Sequence, residues 1–130
     1  MAEFRFLGAD LAQAVHDQQL AEHGGLIGVK DAGRLESAMA RPLNKHAYGE
    51  TDPFELAAAY AFGIARNHPF ADGNKRTAWV MARLFLKLNA ISIAFDKGDA
   101  TRTMIALAAG ELTEQAFAAW LRAHHSPQNA

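Results

Sequence analysis

The sequence predicts an all-α protein, and three observations support this fold class. Apolar residues recur at helical spacing along most of the chain. Residues that typically begin or end helices divide the chain into segments of ordinary helix length. Two central segments are apolar on almost every side, which is typical of helices buried in a core. The chain has 130 residues, of which 50% are hydrophobic. These values predict a single globular domain spanning residues 1–130.

The first helix is predicted from about Leu7 to His23. Its apolar positions are Leu11, Ala12, Val15, Leu20 and Ala21. Gly24 and Gly25 should end it, because glycine readily adopts the conformation that terminates helices. His16 and His23 lie on this helix with no evident partner.

A shorter second helix is predicted from Asp31, a suitable N-cap, through Met39. Pro42 should end it, because proline lacks the N–H that a helix interior requires. Residues Leu43 to Thr51 are then expected to be irregular, as a loop or a small hairpin.

The two apolar segments predict the pair of helices that forms the core. The first begins at Asp52-Pro53, a capping residue followed by a proline suited to the first turn, and runs to about Arg66. The second runs from about Asn74 to Leu88. Its polar residues Arg76, Arg83 and Lys87 fall on one narrow stripe. Only a short connector separates these two helices.

The remainder of the chain predicts two more helices. Asn89 to Ile93 should form a turn, in which a short strand is possible. The helices follow at about Asp99 to Ala109 and Thr113 to His124, with Gly110 between them. Thr113 is a good N-cap for the last helix.

The composition of the chain argues against several classes of protein function. The net charge of −1 gives no global basic field, so nucleic-acid binding is not expected. There is no cysteine, which excludes disulfides and thiolate metal sites and fits a reducing cytoplasm. No apolar stretch reaches the ~20 residues of a membrane span. The first six residues lack the basic start and apolar run of a signal peptide.

The connector between the two core helices carries the chemistry. It reads Asn67-His68-Pro69-Phe70-Ala71-Asp72-Gly73-Asn74-Lys75-Arg76-Thr77. A helix N-terminus offers unpaired N–H groups and a positive dipole end, so it is a ready anion site. Gly73 allows close approach of the backbone, and Asn74, Lys75 and Arg76 add donors for phosphate oxygens.

Two residues of the connector are left for catalysis and metal binding. Asp72 is the only acid among these cations, and it would repel a polyphosphate unless a divalent ion lay between them. One carboxylate together with phosphate oxygens is the usual magnesium arrangement. His68 remains as the general base, since its ordinary pKa lies near the working pH. Phe70 is most simply an anchor that packs the loop onto the core.

Each residue also has an ordinary structural explanation. A lone loop histidine is seldom catalytic, a lone aspartate is often a cap, and first-turn cations are usually solvated. Their adjacency at a core helix favours function over coincidence. Other motifs fit less well: the spacing departs from a P-loop, and His68 with Asp72 gives too few zinc ligands. A helix-turn-helix DNA reader is weakened by the charge balance.

The same stretch resembles the signature of the Fic/Doc family, His-x-Phe-x-(Asp/Glu)-Gly-Asn-(Gly/Lys)-Arg, without a gap from His68 to Arg76. The similarity is strongest to the Doc branch and extends over nearly the whole chain. It includes Gly24 to Gly28, Asp31, Gly33-Arg34, Ala38, Asp52 to Arg66, and Ala108 to Leu112.

The resemblance implies a compact helical bundle with the roles given above, and it adds several expectations. Arg66 would join the phosphate cradle, and residues 43–51 would be a flap that holds a target segment. The activity would be that of a magnesium- and ATP-dependent kinase, in a bacterial toxin that modifies the translation factor EF-Tu. A separately encoded antitoxin would restrain it.

Departures from the family pattern bear on the reaction. Nucleotidyl-transferring Fic proteins have glycine where this chain has Lys75, and usually a second arginine where it has Trp79. Phage Doc has asparagine at the position of Val80. The self-inhibition motif begins at Thr51 but does not continue at Leu56. Two alternatives to a kinase remain open, namely a Fic-type nucleotidyltransferase and a catalytically silent binding module.

Overall fold

The computed structural model describes residues 3–127, and this part of the chain contains six helices. They are α1 (Ala9–His23), α2 (Ala32–Ala47), α3 (Pro53–Asn67), α4 (Asn74–Leu88), α5 (Lys97–Ala109) and α6 (Glu114–Ala123). The all-α prediction is confirmed. The possible strand at 89–93 is reduced to one isolated bridge, between Ile93 and His125. None of the described helices is long and apolar enough to cross a membrane.

The central element is α3, as the apolar pattern predicted. It packs against α2, α4, α5 and α6. Its side chains from Leu56 to Ala61 are fully buried. Asp52 caps it by accepting a hydrogen bond from the Phe54 N–H (2.8 Å), and Pro53 occupies the first turn. The predicted start of this helix is therefore confirmed.

Helix α4 is more amphipathic than its sequence indicated. One face is fully buried, with Thr77, Ala78, Met81, Ala82, Phe85 and Leu86. Trp79 and Val80 are only half-buried, on the side that also carries Arg76 and Arg83. The prediction of burial on most faces was wrong here because these two apolar residues line a groove instead of the core.

Helix α2 does not end at Pro42, contrary to the prediction. It continues to Ala47 with Pro42 buried inside it. Proline removes one backbone hydrogen bond from a helix interior, but ion pairs attach this part of α2 to α6. Arg41 and Lys45, on either side of Pro42, both pair with the buried carboxylate of Glu114 on α6.

This longer helix also corrects the predicted flap. Residues 43–47 are helical, and only residues 48–51 remain of the expected loop or hairpin. That segment leads to the first residue of α3, whereas His68 follows the last. Fifteen helical residues span about 22 Å at 1.5 Å per residue. The segment therefore lies at the opposite end of α3 from the connector and does not form the flap.

The N-terminal segment is attached to α3 through Tyr60. The phenol oxygen accepts a hydrogen bond from the Leu7 N–H (2.7 Å), and the hydroxyl donates to the Leu7 carbonyl (3.2 Å). Burial raises the pKa of Tyr60 to about 12. A buried neutral phenol thus satisfies both backbone groups of Leu7, which are themselves removed from water.

Candidate functional site

The connector begins where α3 ends, at His68. This residue adopts a left-handed conformation (φ 50°, ψ 58°), and its N–H donates to the Ile64 carbonyl (3.2 Å). Pro69 disfavours a right-handed helical conformation at the residue before it, so the helix stops there. The His68 side chain is exposed, and no hydrogen bond within residues 3–127 ties its imidazole. It is accessible to a substrate hydroxyl, as a general base must be.

The loop is closed by the side chain of Asn74. Its Oδ1 accepts from the Phe70 N–H (3.0 Å) and its Nδ2 donates to the Phe70 carbonyl (3.0 Å). The side chain of Asn74 therefore fixes the loop, and one N–H of its amide is engaged by the Phe70 carbonyl. The predicted role of Asn74 as a phosphate donor stays a prediction. The backbone N–H groups at the start of α4 are still available to an anion, since the first intrahelical bond is donated by Thr77, to Gly73.

Phe70 anchors the loop, as predicted, and its partner is His16. Phe70 is 1% exposed and stacks on the His16 ring at 3.9 Å between centroids. His16 Nε2 donates to the carbonyl of Asp72 (2.7 Å). His16 thus has the partner that sequence reasoning missed. Its place on the buried face of α1, four residues after Ala12 and four before Leu20, was the available signal.

The segment beside the loop is Gly24–Lys30, between α1 and α2. The N–H groups of Lys30 and Asp31 both donate to the Pro69 carbonyl (2.8 and 3.1 Å), and the Ala71 N–H donates to the Gly28 carbonyl (3.1 Å). Leu26 and Ile27 at its tip are 68% and 84% exposed. The position predicted for residues 43–51 is therefore occupied by a different, earlier segment.

Asp72 lies where the loop meets that segment. Its Oδ1 accepts from the Gly73 N–H (2.9 Å), and its Oδ2 lies 3.4 Å from the Leu26 N–H that donates to it. No group of three or more potential ligands among His, Cys, Asp and Glu occurs in the described part of the chain. A single exposed carboxylate suits Mg²⁺, which is usually held by one or two carboxylates, water and substrate phosphates.

Five of the predicted residues line one cavity of about 780 Å³, the α4 groove. They are Asp72, Gly73, Asn74, Lys75 and Arg76. The groove follows the outer face of α4, with α1 on one side and α5 on the other. Its volume is within the usual range for small-molecule sites. The structure therefore brings the predicted phosphate donors and the predicted metal ligand together.

The other two predicted residues, Arg66 and His68, line a second cavity of about 490 Å³, the His68 cavity. Arg34 lies in the same cavity. The Arg66 guanidinium lies over the Phe62 ring (5.6 Å) and close to Gly110. Arg66 does not line the α4 groove, so the structure does not place it among the other cradle residues.

Comparison with known proteins identifies the family of this chain. Residues 6–86 match the model of the Fic/DOC family. The chain belongs to the Fic/Doc family. Its Doc branch is indicated by two relatives. "Protein kinase doc" of Escherichia phage P1 is 40% identical over 110 residues, covering 84% of this chain and 86% of the relative. "Toxin Doc" of Mycolicibacterium smegmatis is 45% identical over 76 residues, 56% and 58% of the two chains.

This member of the Fic/Doc family has an aromatic cluster at the far end of its α4 groove. The Trp79 and Phe95 rings meet edge to face at 4.9 Å, and the Arg83 guanidinium lies 5.4 and 4.9 Å from their centroids. Partial burial lowers the pKa of Arg83. Sequence reasoning placed Arg83 on a polar stripe and did not foresee this cluster, because Phe95 lies outside α4.

Proposed function

We propose that this protein is a Doc-type toxin that transfers the γ-phosphate of ATP to a hydroxyl group of a target protein. The observation that carries the proposal is the gapless motif, whose lysine lies in the first turn of α4. Lys75 adds a charge and bulk where nucleotidyl-transferring relatives have glycine. The name of the phage P1 relative, a protein kinase, supports the same choice.

The proposed reaction uses His68 as the base. The imidazole takes the proton of the target hydroxyl while the hydroxyl oxygen attacks the γ-phosphorus in line. A new bond forms from this oxygen to phosphorus, and the bond from phosphorus to the β–γ bridging oxygen breaks. ADP leaves with that electron pair. The backbone N–H groups of Asn74 to Arg76, with the Lys75 and Arg76 side chains, stabilise the charge on the phosphate oxygens.

Asp72 is the residue that would hold Mg²⁺. When bound, the ion neutralises phosphate charge and so reduces repulsion between Asp72 and the nucleotide. Arg66 and Arg34, in the His68 cavity, would then act on the side from which the target hydroxyl approaches.

The target is proposed to be EF-Tu, following the resemblance to the Doc branch. The exposed Gly24–Lys30 segment supports a peptide substrate beside the loop, because its tip presents Leu26 and Ile27 to solvent. An extended target segment could pair with such a backbone. This assignment replaces residues 43–51 as the part of the chain that holds the target.

Label transfer tests the reaction. The protein is incubated with bacterial lysate and ATP labelled either on the α- or on the γ-phosphate, followed by mass spectrometry of labelled proteins. Only the γ-label should reach protein, as a phosphate adduct on a Ser, Thr or Tyr of EF-Tu. An α-label with an AMP adduct would instead establish the nucleotidyltransferase alternative. With neither label on protein, the chain would be a silent binding module.

A separately encoded antitoxin is also proposed, because this chain lacks the self-inhibition motif and one relative is named a toxin. Expression of the chain alone in bacteria should arrest growth, whereas a variant without His68 should be tolerated at the same soluble level. Normal growth with the unmodified protein would contradict toxicity and remove the need for an antitoxin.

A further inference from the structure

The α4 groove changes character along its length. At the N-terminus of α4 it is polar, with the backbone of Gly73 and the cations Lys75 and Arg76. Beyond the first turn, α4 contributes Trp79 and Val80 to the groove, and Phe95 lies beside them with the cations Arg83 and Lys97. Helix α5 forms the facing wall with Ala100, Thr101, Met104 and Ile105. The attraction of a helix dipole for anions falls off within the first turn, so phosphates are favoured only at the N-terminal end.

A nucleotide is divided in the same way as this groove, with a charged phosphate end and a planar base that has aromatic faces and polar edges. Lys75 and Arg83 are eight residues apart on α4 and both line the groove. Their separation is about 12 Å along the helix axis at 1.5 Å per residue. The groove therefore extends well beyond the phosphate cradle, in the direction away from the loop.

The rings at the far end are fixed by packing. Trp79 meets Phe95 at an interplanar angle of 89° and Trp120 at 65°. The Trp120 Nε1 donates in turn to Asp99 (3.1 Å). Trp79 is half-buried, so part of the indole remains on the groove wall. A preorganised aromatic surface loses little conformational entropy when a ligand stacks on it.

Arg83 adds a polar group to this aromatic end. No carboxylate within residues 3–127 forms an ion pair with its guanidinium, which instead lies against two rings. Part of the side chain reaches solvent, so it can shift to admit a ligand. Its N–H groups are suitable donors for the ring nitrogens of a purine.

We propose that the purine base of the donor nucleotide binds at this aromatic end of the α4 groove, against Trp79 and in contact with Arg83. The inference rests on the proposed function, because it takes the γ-phosphate to be at the loop and the nucleotide to extend along α4. Trp79, which stands where nucleotidyl-transferring relatives have a second arginine, then acts as a base platform instead of a phosphate ligand.

Binding of two probes by calorimetry tests the subsite: ATP and inorganic tripolyphosphate, each with Mg²⁺. Trp79→Leu keeps an apolar side chain but removes the aromatic face, and Arg83→Met keeps the stem but removes the donors. ATP affinity should fall about tenfold in Trp79→Leu, as expected for one lost base–aromatic stack. Tripolyphosphate affinity should not change, which also shows that the variant is folded.

Two controls complete the experiment. Trp79→Phe retains a ring and should keep most of the ATP affinity. Tyr48→Ala removes a ring that is 93% exposed at the opposite end of α3 and should change neither affinity.

The outcomes separate the subsite from the kinase proposal. If the unmodified protein binds neither probe, both proposals are overturned. If it binds ATP no better than tripolyphosphate, or if Trp79→Leu and Arg83→Met leave the ratio of the two affinities unchanged, only the base subsite is overturned. The label-transfer result does not depend on that ratio.

Discussion

His68 is the residue on which the proposed chemistry depends most directly. Its exposed side chain makes no packing contact that the core requires, so His68→Ala should leave the unfolding midpoint nearly unchanged. Removal of a general base typically slows a reaction by a factor of about 10² to 10⁴. Phosphate transfer to the target and thermal unfolding would be measured on the same preparation. A folded variant with full transfer activity would rule out His68 as the base.

His16 is a second residue whose substitution should alter the site, because it donates a hydrogen bond to the Asp72 carbonyl. His16→Phe keeps a ring against Phe70 but removes the donor, whereas His16→Gln retains a side-chain N–H at similar reach. Loss of this partly buried hydrogen bond costs about 0.5–1.5 kcal/mol, so the turn at Asp72 should loosen in the Phe variant. Calorimetry should then show weaker Mg²⁺-dependent ATP binding for His16→Phe and substantial recovery for His16→Gln. Identical binding by the two variants would mean that His16 serves only packing.

These two histidines show what the sequence could and could not reveal. His68 belongs to a contiguous motif, so its chemical neighbours could be predicted from spacing alone. His16 contacts Asp72 across 56 residues of chain, and nothing near it in sequence identifies that partner. Trp79 and Arg83 could be placed on one helix face, but the ring of Phe95 that completes their cluster comes from outside α4.

For the helices too, features set by residues close in sequence could be predicted, and features set by distant residues could not. Asp31, Asp52 and Thr113 cap their helices as predicted, because a cap depends on residues within one turn. The prediction that Pro42 ends α2 was wrong, and the contacts of α2 around Pro42 are made by residues distant in sequence. Glu114 reaches Arg41 across 73 residues of chain, and no local pattern indicates such a pairing. The prediction that residues 43–51 form the flap was also wrong, because it depended on α2 ending at Pro42.

The segment between α1 and α2 offers a test of its contact with the site. A Cβ added at Gly25 would lie 2.9 Å from both Asp72 Oδ2 and Leu20 Cδ2, whereas one at Gly24 would meet nothing within 4 Å. Both glycines have positive φ (128° and 76°), so alanine should strain either position by about 1–3 kcal/mol. Both variants should therefore lose stability in denaturant unfolding.

Only Gly25→Ala should also displace the Asp72 carboxylate and weaken Mg²⁺-dependent ATP binding. Gly24→Ala is the matched control, with backbone strain but no contact with Asp72. Equal ATP binding by the two variants would show that this segment can move away from the carboxylate at no cost to metal binding.

At the scale of the whole molecule, Tyr60 joins the N-terminal segment to the central helix and makes that attachment sensitive to alkali. The pKa is raised from 10.0 to about 12 by burial, so between these values the unfolded chain loses the phenol proton while the folded chain keeps it. The unfolded state then binds fewer protons, and the free energy of unfolding falls as pH rises. The contribution is complete below about pH 10 and is lost by about pH 12.

The stability that is lost when Tyr60 ionises is at most about 2–3 kcal/mol, at about 1.4 kcal/mol per pKa unit. Tyr60→Phe should be less stable than the unmodified protein near pH 8, because the Leu7 N–H and carbonyl lose their partner. That difference should shrink in urea denaturation repeated near pH 11, since the variant has no phenol to titrate at this position. Tyr48→Phe, which alters a ring that is 93% exposed, should follow the unmodified protein at both pH values. The contrary result would be a stability difference between Tyr60→Phe and the unmodified protein that stays constant from neutral to alkaline pH. It would show that the phenol ionises as easily in the folded chain as in the unfolded one, and that its attachment to Leu7 does not depend on its proton.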